Sequence, residues 1–321
     1  MDFALFIMSM VFATVPLLLA LWFVWWLDRY DREPVWLVGL SFSWGGIGGV
    51  IFALIGSAII MLPIELIASP EVADGIGATF VAPLVEEPGK ALILLFIVFS
   101  RHFDNTTDGF VYGAACGLGF GVTENFMYFW NVGATGDMDA YVGTVVVRTL
   151  YSAMMHAAAS SCVGAALGFA KFRGWGVKLT VPWIGLGIAM GIHAIWNGLL
   201  TAEGFVGAGG ALAVLNFLLF PLEFLTLFII FQACLWSEKS TIRRELEGEV
   251  PDAHLPFLAS YLARNKKSWL PAGVPHDDYI IAATNLAFRK HQAHHARNKK
   301  YYEQEVDRLR SEVKGLLAKA A

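Results

Sequence analysis

The chain has 321 residues, 56% of them hydrophobic and only 16% charged, with a mean hydropathy of +0.57. Soluble domains carry about 25% charge, so a wholly soluble globular protein is excluded, and a formal net charge of −4 argues against nucleic acid as a partner. Residues 1–236 hold 8 of the 23 Lys and Arg and 16 of the 27 Asp and Glu, which divides the chain into a membrane body, 1–236, and a charged, mostly helical soluble tail, 237–321.

Apolar runs of about 20 residues predict an all-α polytopic bundle with seven spans, at 4–27, 35–62, 77–99, 109–131, 144–170, 179–201 and 211–236. The stretch 63–75 is mixed, as expected of an interfacial or re-entrant segment. No cleavable signal peptide is expected: Asp2 stands where a basic region would, and the first apolar run lacks a small-residue cleavage site. Arg29 and Arg32 occupy loop 28–34, Arg101 occupies loop 100–108, and Lys171, Arg173 and Lys178 occupy loop 171–178, while the alternate loops hold no Lys or Arg. Short basic loops stay in the cytoplasm, which puts the N-terminus outside and the tail inside a bacterial plasma membrane. Cys116, Cys162 and Cys234 each stand alone in an apolar segment, as free buried thiols do. In the tail, Val306, Leu309, Val313 and Leu316 form a packing stripe at helical spacing, read as a solvated helix docking on the body. His291, His294 and His295 lie among Lys and Arg and are read as a solvated face rather than a metal site.

The body contains ionisable residues that lipid disfavours. A charge at the centre of a spanning helix costs about 2.5–3.5 kcal/mol on insertion scales, yet Glu86, Glu87, Lys90, Glu124, Arg148, His156, His193 and Glu223 lie in or near the spans. With the topology above, all but Glu223 fall at comparable depths, roughly 10–18 Å below the outer surface at 1.5 Å per residue. Glu223, beside Pro221, has no evident partner and is read as structural. The helical faces agree: Arg148, Ser152, His156 and Ser160 are four apart, as are Gly185, Ala189, His193 and Asn197, and Gly113, Gly117 and Gly121 lead into Glu124 and Asn125. Small residues at this spacing let helices approach closely in lipid. Glu86 and Lys90, at i and i+4, are placed to pair along one helix.

Two imidazoles and a carboxylate are a common ligand set for catalytic Zn²⁺. His156 and His193 with Glu124 or Glu87 supply one, leaving Glu86 or Glu87 as general base. A metal-free scheme is equally open. There a buried Glu oriented by His156 takes a proton from the attacking water, and His193 and Asn197 donate to the developing oxyanion. Lys90, Asn125 and Arg148 are supporting residues in both. No HExxH, GxSxG or GxGD pattern is present, which disfavours zincin, rhomboid-like and presenilin-like chemistry.

The strings EEPGK at 86–90, DGFVYGAACGLGFGVTENFMY at 108–128, His156, HAIWN at 193–197 and the basic loop DRYDREP at 28–34 together resemble the PrsW family of intramembrane proteases. The chain is more distantly similar to CAAX-processing and bacteriocin-protection proteases, which pair a Glu-Glu motif with two later histidines. The resemblance implies cleavage of a membrane-anchored, single-span substrate near the extracytoplasmic face, such as an anti-sigma factor. It also implies that Glu86, Glu87, His156 and His193 are the catalytic set, with Glu124 close by. Two rival readings make different predictions. A proton- or ion-coupled transporter spaces its polar groups along the membrane normal, whereas here they share one layer. A non-catalytic scaffold for partner helices tolerates loss of Glu86 or His193.

Overall fold

The computed structural model describes residues 3–28, 30–295 and 299–320, with Glu223 and His295 described by their backbone alone. Arg29 of the first basic loop and the side chains of Glu223 and His295 therefore lie outside the described residues. Among these residues seven long helices run in sequence: α1 (Phe3–Leu27), α2 (Val35–Glu65), α3 (70–97), α4 (Thr106–Gly133), α5 (Met138–Lys171), α6 (Trp175–Val206) and α7 (Ala211–Leu246). Among the described residues there is no strand. Helices α1, α2, α5, α6 and α7 are long and apolar enough to cross a membrane. Helices α3 and α4 fall short of that measure because they are rich in polar residues and glycine: Glu86, Glu87 and Lys90 lie within one turn of α3, and α4 is threaded with glycine. The chain is thus a polytopic helical bundle.

The helices outrun the expected spans, because residues at their polar ends are helical as well. The segment 63–75 is mostly helix: Pro63 lies inside α2, and Ser69 caps the start of α3 ahead of Pro70. Asn105 opens α4 with a capping box, its Oδ1 accepting from Thr107 N at 2.6 Å while Asp108 Oδ2 accepts from Asn105 N at 2.9 Å. Asp137 caps α5 through Ala140 N at 2.9 Å.

The chain folds into two compact units. The first comprises residues 1–25, 33–171 and 175–230 and is built around α4, whose residues 107–121 are all buried. Glycine explains how a helix can be buried on every side. A Cβ on Gly113 or Gly117 would collide with the Ser160 or His156 carbonyl of α5, and one on Gly119 with the Phe42 carbonyl of α2. Backbone therefore packs on backbone. Among the described residues three π-helical turns interrupt the bundle, Trp44–Gly49 in α2, Gly77–Val81 in α3 and Arg148–Ser152 in α5. Such turns leave peptide carbonyls out of the regular ladder, and neighbouring side chains take them up: Thr123 Oγ1 donates to Gly46 O at 2.7 Å, and Asn197 Nδ2 to Ala78 O at 2.9 Å.

The second unit comprises residues 26–32, 172–174 and 231–321. It has its own apolar core, in which Leu258, Tyr279, Leu286 and Phe288 meet the stripe Val306, Leu309, Val313 and Leu316. Helices α8 (Leu255–Leu258), α9 (His276–His295) and α10 (Lys299–Leu317) carry these residues. The stripe read as docking on the body is buried in the core of this unit. Its partner face on α9 includes Ala282, Ala283 and Ala287, whose small side chains give a weak periodic signal. Arg264, 4% exposed, stacks its guanidinium over the Tyr30 ring at 4.8 Å and donates from Nη2 to Thr284 Oγ1 at 3.1 Å. His291 Nδ1 lies 3.2 Å from Arg244 Nη2, and His294 lies 3.5 Å from Glu245. Cys116, Cys162 and Cys234 are buried free thiols.

Candidate active site

Four helices of the first unit bring seven ionisable side chains into one network. On α3, Glu86 and Glu87 precede Pro88, and Lys90 follows one turn on. Lys90 is 1% exposed. Its Nζ lies 2.6 Å from Glu87 Oε1 and 3.9 Å from Glu86 Oε2, so its close partner is the i−3 carboxylate rather than the expected i−4 one. The ammonium also sits 4.3 Å above the Phe120 ring and 3.0 Å from His156 Nδ1. The π-helical turn of α2 braces this stretch, since Trp44 Nε1 donates to Gly89 O at 3.0 Å.

These contacts assign the ring protons. Lysine has only donors, so His156 Nδ1 accepts and its proton resides on Nε2, where Glu124 Oε2 accepts at 2.6 Å. Glu124 in turn pairs with Arg148 Nη2 at 2.7 Å, Arg148 Nε donates to Asn125 Oδ1 at 3.1 Å, and the guanidinium stacks on Tyr128 at 3.7 Å. On α6, His193 donates from Nδ1 to Glu87 Oε1 at 2.8 Å, which leaves Nε2 with a free lone pair 3.9 Å from Glu86 Oε2. The two imidazoles meet edge to face with centroids 4.9 Å apart. Glu87, His156 and His193 are buried, whereas the Glu86 and Glu124 side chains keep 15% and 20% of their exposure.

One ligand atom from each of Glu86, His156 and His193 falls within 4.8 Å of the others. The carboxylate brought up to both imidazoles is thus Glu86, while Glu124 is engaged by His156 Nε2 and Arg148, and Glu87 by Lys90 and His193. The donor set fits a divalent metal. Glu86 Oε2 is buried and makes no hydrogen bond among the described residues, His193 Nε2 is bare, and a carboxylate stands behind His193 as it commonly does behind metal-binding imidazoles. His156 fits on condition that its ring proton moves from Nε2 to Nδ1 and Lys90 gives up its contact there. Asn197 is not part of this network; its amide is spent on Ala78 O, which holds the π-helical turn of α3 one helical segment before Glu86.

Two aromatic contributors were not singled out by sequence reasoning. Phe120, Glu124 and Tyr128 are four residues apart on one face of α4, a pattern that would have flagged Phe120 beneath Lys90 and Tyr128 beneath Arg148.

A helical membrane bundle that buries carboxylates, imidazoles and an ammonium in one connected cluster is of the class to which intramembrane peptidases belong. The family described as PrsW family intramembrane metalloprotease matches residues 33–226, a span that contains every member of the cluster. Protease PrsW of Bacillus subtilis (strain 168) is 32% identical over 182 residues, covering 54% of this chain and 74% of that protein. Protease PrsW of Geobacillus kaustophilus (strain HTA426) is 29% identical over 179 residues, 55% of this chain and 72% of that one. Protease PrsW of Clostridioides difficile (strain 630) is 36% identical over 128 residues, 37% of this chain and 49% of its own. No solved structure matches the chain at comparable significance. The chain belongs to the PrsW family and is an intramembrane protease.

Proposed function

We propose that the protein hydrolyses a peptide bond of a single-span, membrane-anchored protein near the extracytoplasmic face of a bacterial plasma membrane, an anti-sigma factor being the substrate type that suits such a cleavage. The observation that carries the reading is the convergence of Glu86, His156 and His193, with Glu87 behind one imidazole and Glu124 behind the other. Glu86 acts at the reacting centre, because its Oε2 is uncommitted and lies 3.9 Å from a bare imidazole nitrogen, whereas Glu87 is tied through Oε1 to Lys90 and His193. Glu87 orients His193, and Glu124, anchored by Arg148, which Asn125 in turn holds, orients His156 by accepting the hydrogen bond from its Nε2–H. Lys90 balances the carboxylate charge, since unpaired carboxylates in lipid are costly.

Glu86, His156 and His193 are the residues that would hold Zn²⁺, with Glu124 the further candidate. When bound, Zn²⁺ polarises the scissile carbonyl and lowers the pKa of water. In the metal-free reading, favoured by the Lys90 ammonium lying against His156, Glu86 takes the proton of the attacking water and His193 steadies that water through Nε2. Asn197 keeps a role in either scheme as the residue that holds the 77–81 turn. The body 1–236 is the protease and the tail 237–321 is cytoplasmic. The lysine- and arginine-free alternate loops support this orientation, as does the sharing of one compact unit by residues 26–32, 172–174 and the tail.

Two measurements test the reading. Elemental analysis of the detergent-purified protein beside a His156→Ala/His193→Ala variant decides between the schemes: one equivalent of zinc lost in the variant establishes the metal site, and no metal in either establishes the Glu–His scheme. Cleavage of a tethered single-span reporter, with the fragment ends sequenced, tests the activity. Cleavage by the parent and none by Glu86→Gln is expected. Equal cleavage by both overturns the site.

A further inference from the structure

Helix α7 is held to the first unit differently from every other long helix. Within 211–230, the one buried side chain among the described residues is polar: Asn216, 1% exposed, donating from Nδ2 to Trp196 O at 3.0 Å. At its start, Glu203 of α6 accepts from Gly210 N at 2.7 Å and from Leu212 N at 2.8 Å, and beyond Asn216 the anchorage is aromatic. Phe217 and Phe220 lie with their rings 4.9 Å and 4.4 Å from that of Tyr151, which stacks on Trp196 at 6.3 Å and 16°. Three glycines with positive φ, Gly207, Gly209 and Gly210, turn the chain into the helix, and Glu203 tethers that turn to α6. Pro221 follows the contact and weakens the helix there.

The place of this contact gives it meaning. Trp196 follows His193 by three residues on α6, and Tyr151 precedes His156 by five on α5. The stacked pair therefore bridges α5 and α6 one turn from both site histidines. A peptide bond within a membrane-anchored chain has to arrive from the lipid. Helices α4 and α5 are sealed against each other by glycine-backbone packing, and α5 and α6 pack as closely at Gly185, against Cys162 and Ala166, two turns on the far side of His193 from Trp196.

We infer that the α5–α6 seam beneath α7 is the surface through which a substrate's membrane helix reaches the site, with the Asn216–Trp196 hydrogen bond as its latch. The inference rests on the protease reading above. The partner is a single apolar helix that replaces Phe217 and Phe220 against Tyr151 and Trp196. Glu203 keeps the first turn of α7 on α6 as a pivot. Past it the Asn216 bond is a weak hold, worth about a three-fold change in an opening equilibrium, and a weakly held element is the one that moves.

Two measurements test it with the single-span reporter. First, Asn216→Leu removes the latch but keeps an apolar side chain of similar size. Cleavage of the reporter is expected to rise about three-fold, while a short soluble peptide spanning the same bond is cut at the parental rate. A fall in both rates together with the thermal midpoint, or no change in the reporter rate, overturns the latch. Second, p-benzoylphenylalanine in place of Phe220, in the Glu87→Gln background, is expected to capture the reporter's membrane helix on illumination. The same probe in place of Phe52, an exposed residue of α2, is not. Capture at 52 and not at 220 overturns the entry surface. Because capture needs no catalysis, it separates the two ideas: capture at 220 with no cleavage by the parent leaves the surface standing and removes the protease reading.

Discussion

The two units of this protein are built inside out relative to one another in composition. The first buries Glu87, Lys90, His156 and His193 and leaves Phe80, Leu84, Trp183 and Ile184 exposed. The second buries Leu246, Leu258, Tyr279 and Leu286 and exposes Arg308, Asp307 and Glu312. Water drives the second arrangement through the hydrophobic effect. Lipid offers no such drive between helices, so the first is held by backbone contact at glycine and by interhelical polar groups. The lesson is that a charge buried in the body is held by a partner, whereas a charge at the tail surface needs none.

Four expected outcomes break or sharpen this contrast, the largest effect first. Gly117→Leu drives a side chain into the His156 carbonyl and is expected to abolish folded protein, read as loss of a monodisperse peak in detergent; a normal peak with parental activity would show that α4 and α5 are not backbone-packed. His193→Ala leaves that packing intact and is expected to reduce reporter cleavage by roughly 10²–10⁴-fold, while Glu87→Gln, which removes the partner of His193 and Lys90, is expected to cost roughly 10–100-fold and to lower the thermal midpoint. Leu286→Ala opens a cavity in the tail core, at a cost of about 2–5 kcal/mol, and hydrogen exchange on the full chain is expected to show faster exchange in α9 and α10 with reporter cleavage retained.

The smallest effect concerns Glu249. Its carboxyl is held down at about 2, first by the Arg310 hydrogen bonds and then by Lys290. A depressed carboxylate stabilises the fold fully above the unfolded value of about 4.3 and progressively less as pH falls from there through about 2. Solvent screening limits a pair of this kind to roughly 0.2–1 kcal/mol. Exchange protection at the contact of Glu249 with α10 is expected to weaken between pH 4 and pH 2 in the parent, and to be lower but flatter with pH in Glu249→Gln.

Much of the candidate site was legible before any fold. Insertion cost marks each ionisable residue in a span as exceptional, and counting residues from the helix ends puts Glu86, Glu87, Glu124, His156 and His193 at one depth. The glycine spacing likewise announced that α4 and α5 approach closely, and the tail stripe at 306–316 announced a packed face. These are one-dimensional properties, fixed by the rise and period of a helix.

Pairing is different, because it depends on how each helix is rotated and tilted against its neighbours. Only the tertiary structure decided that Lys90 closes on Glu87 rather than Glu86, that Glu87 serves His193 while Glu124 serves His156, and that Glu86 is the carboxylate left to face both rings. Depth fixes one coordinate of a side chain. The distances that decide chemistry need the other two, and those are set by the contacts of helices far apart in the chain.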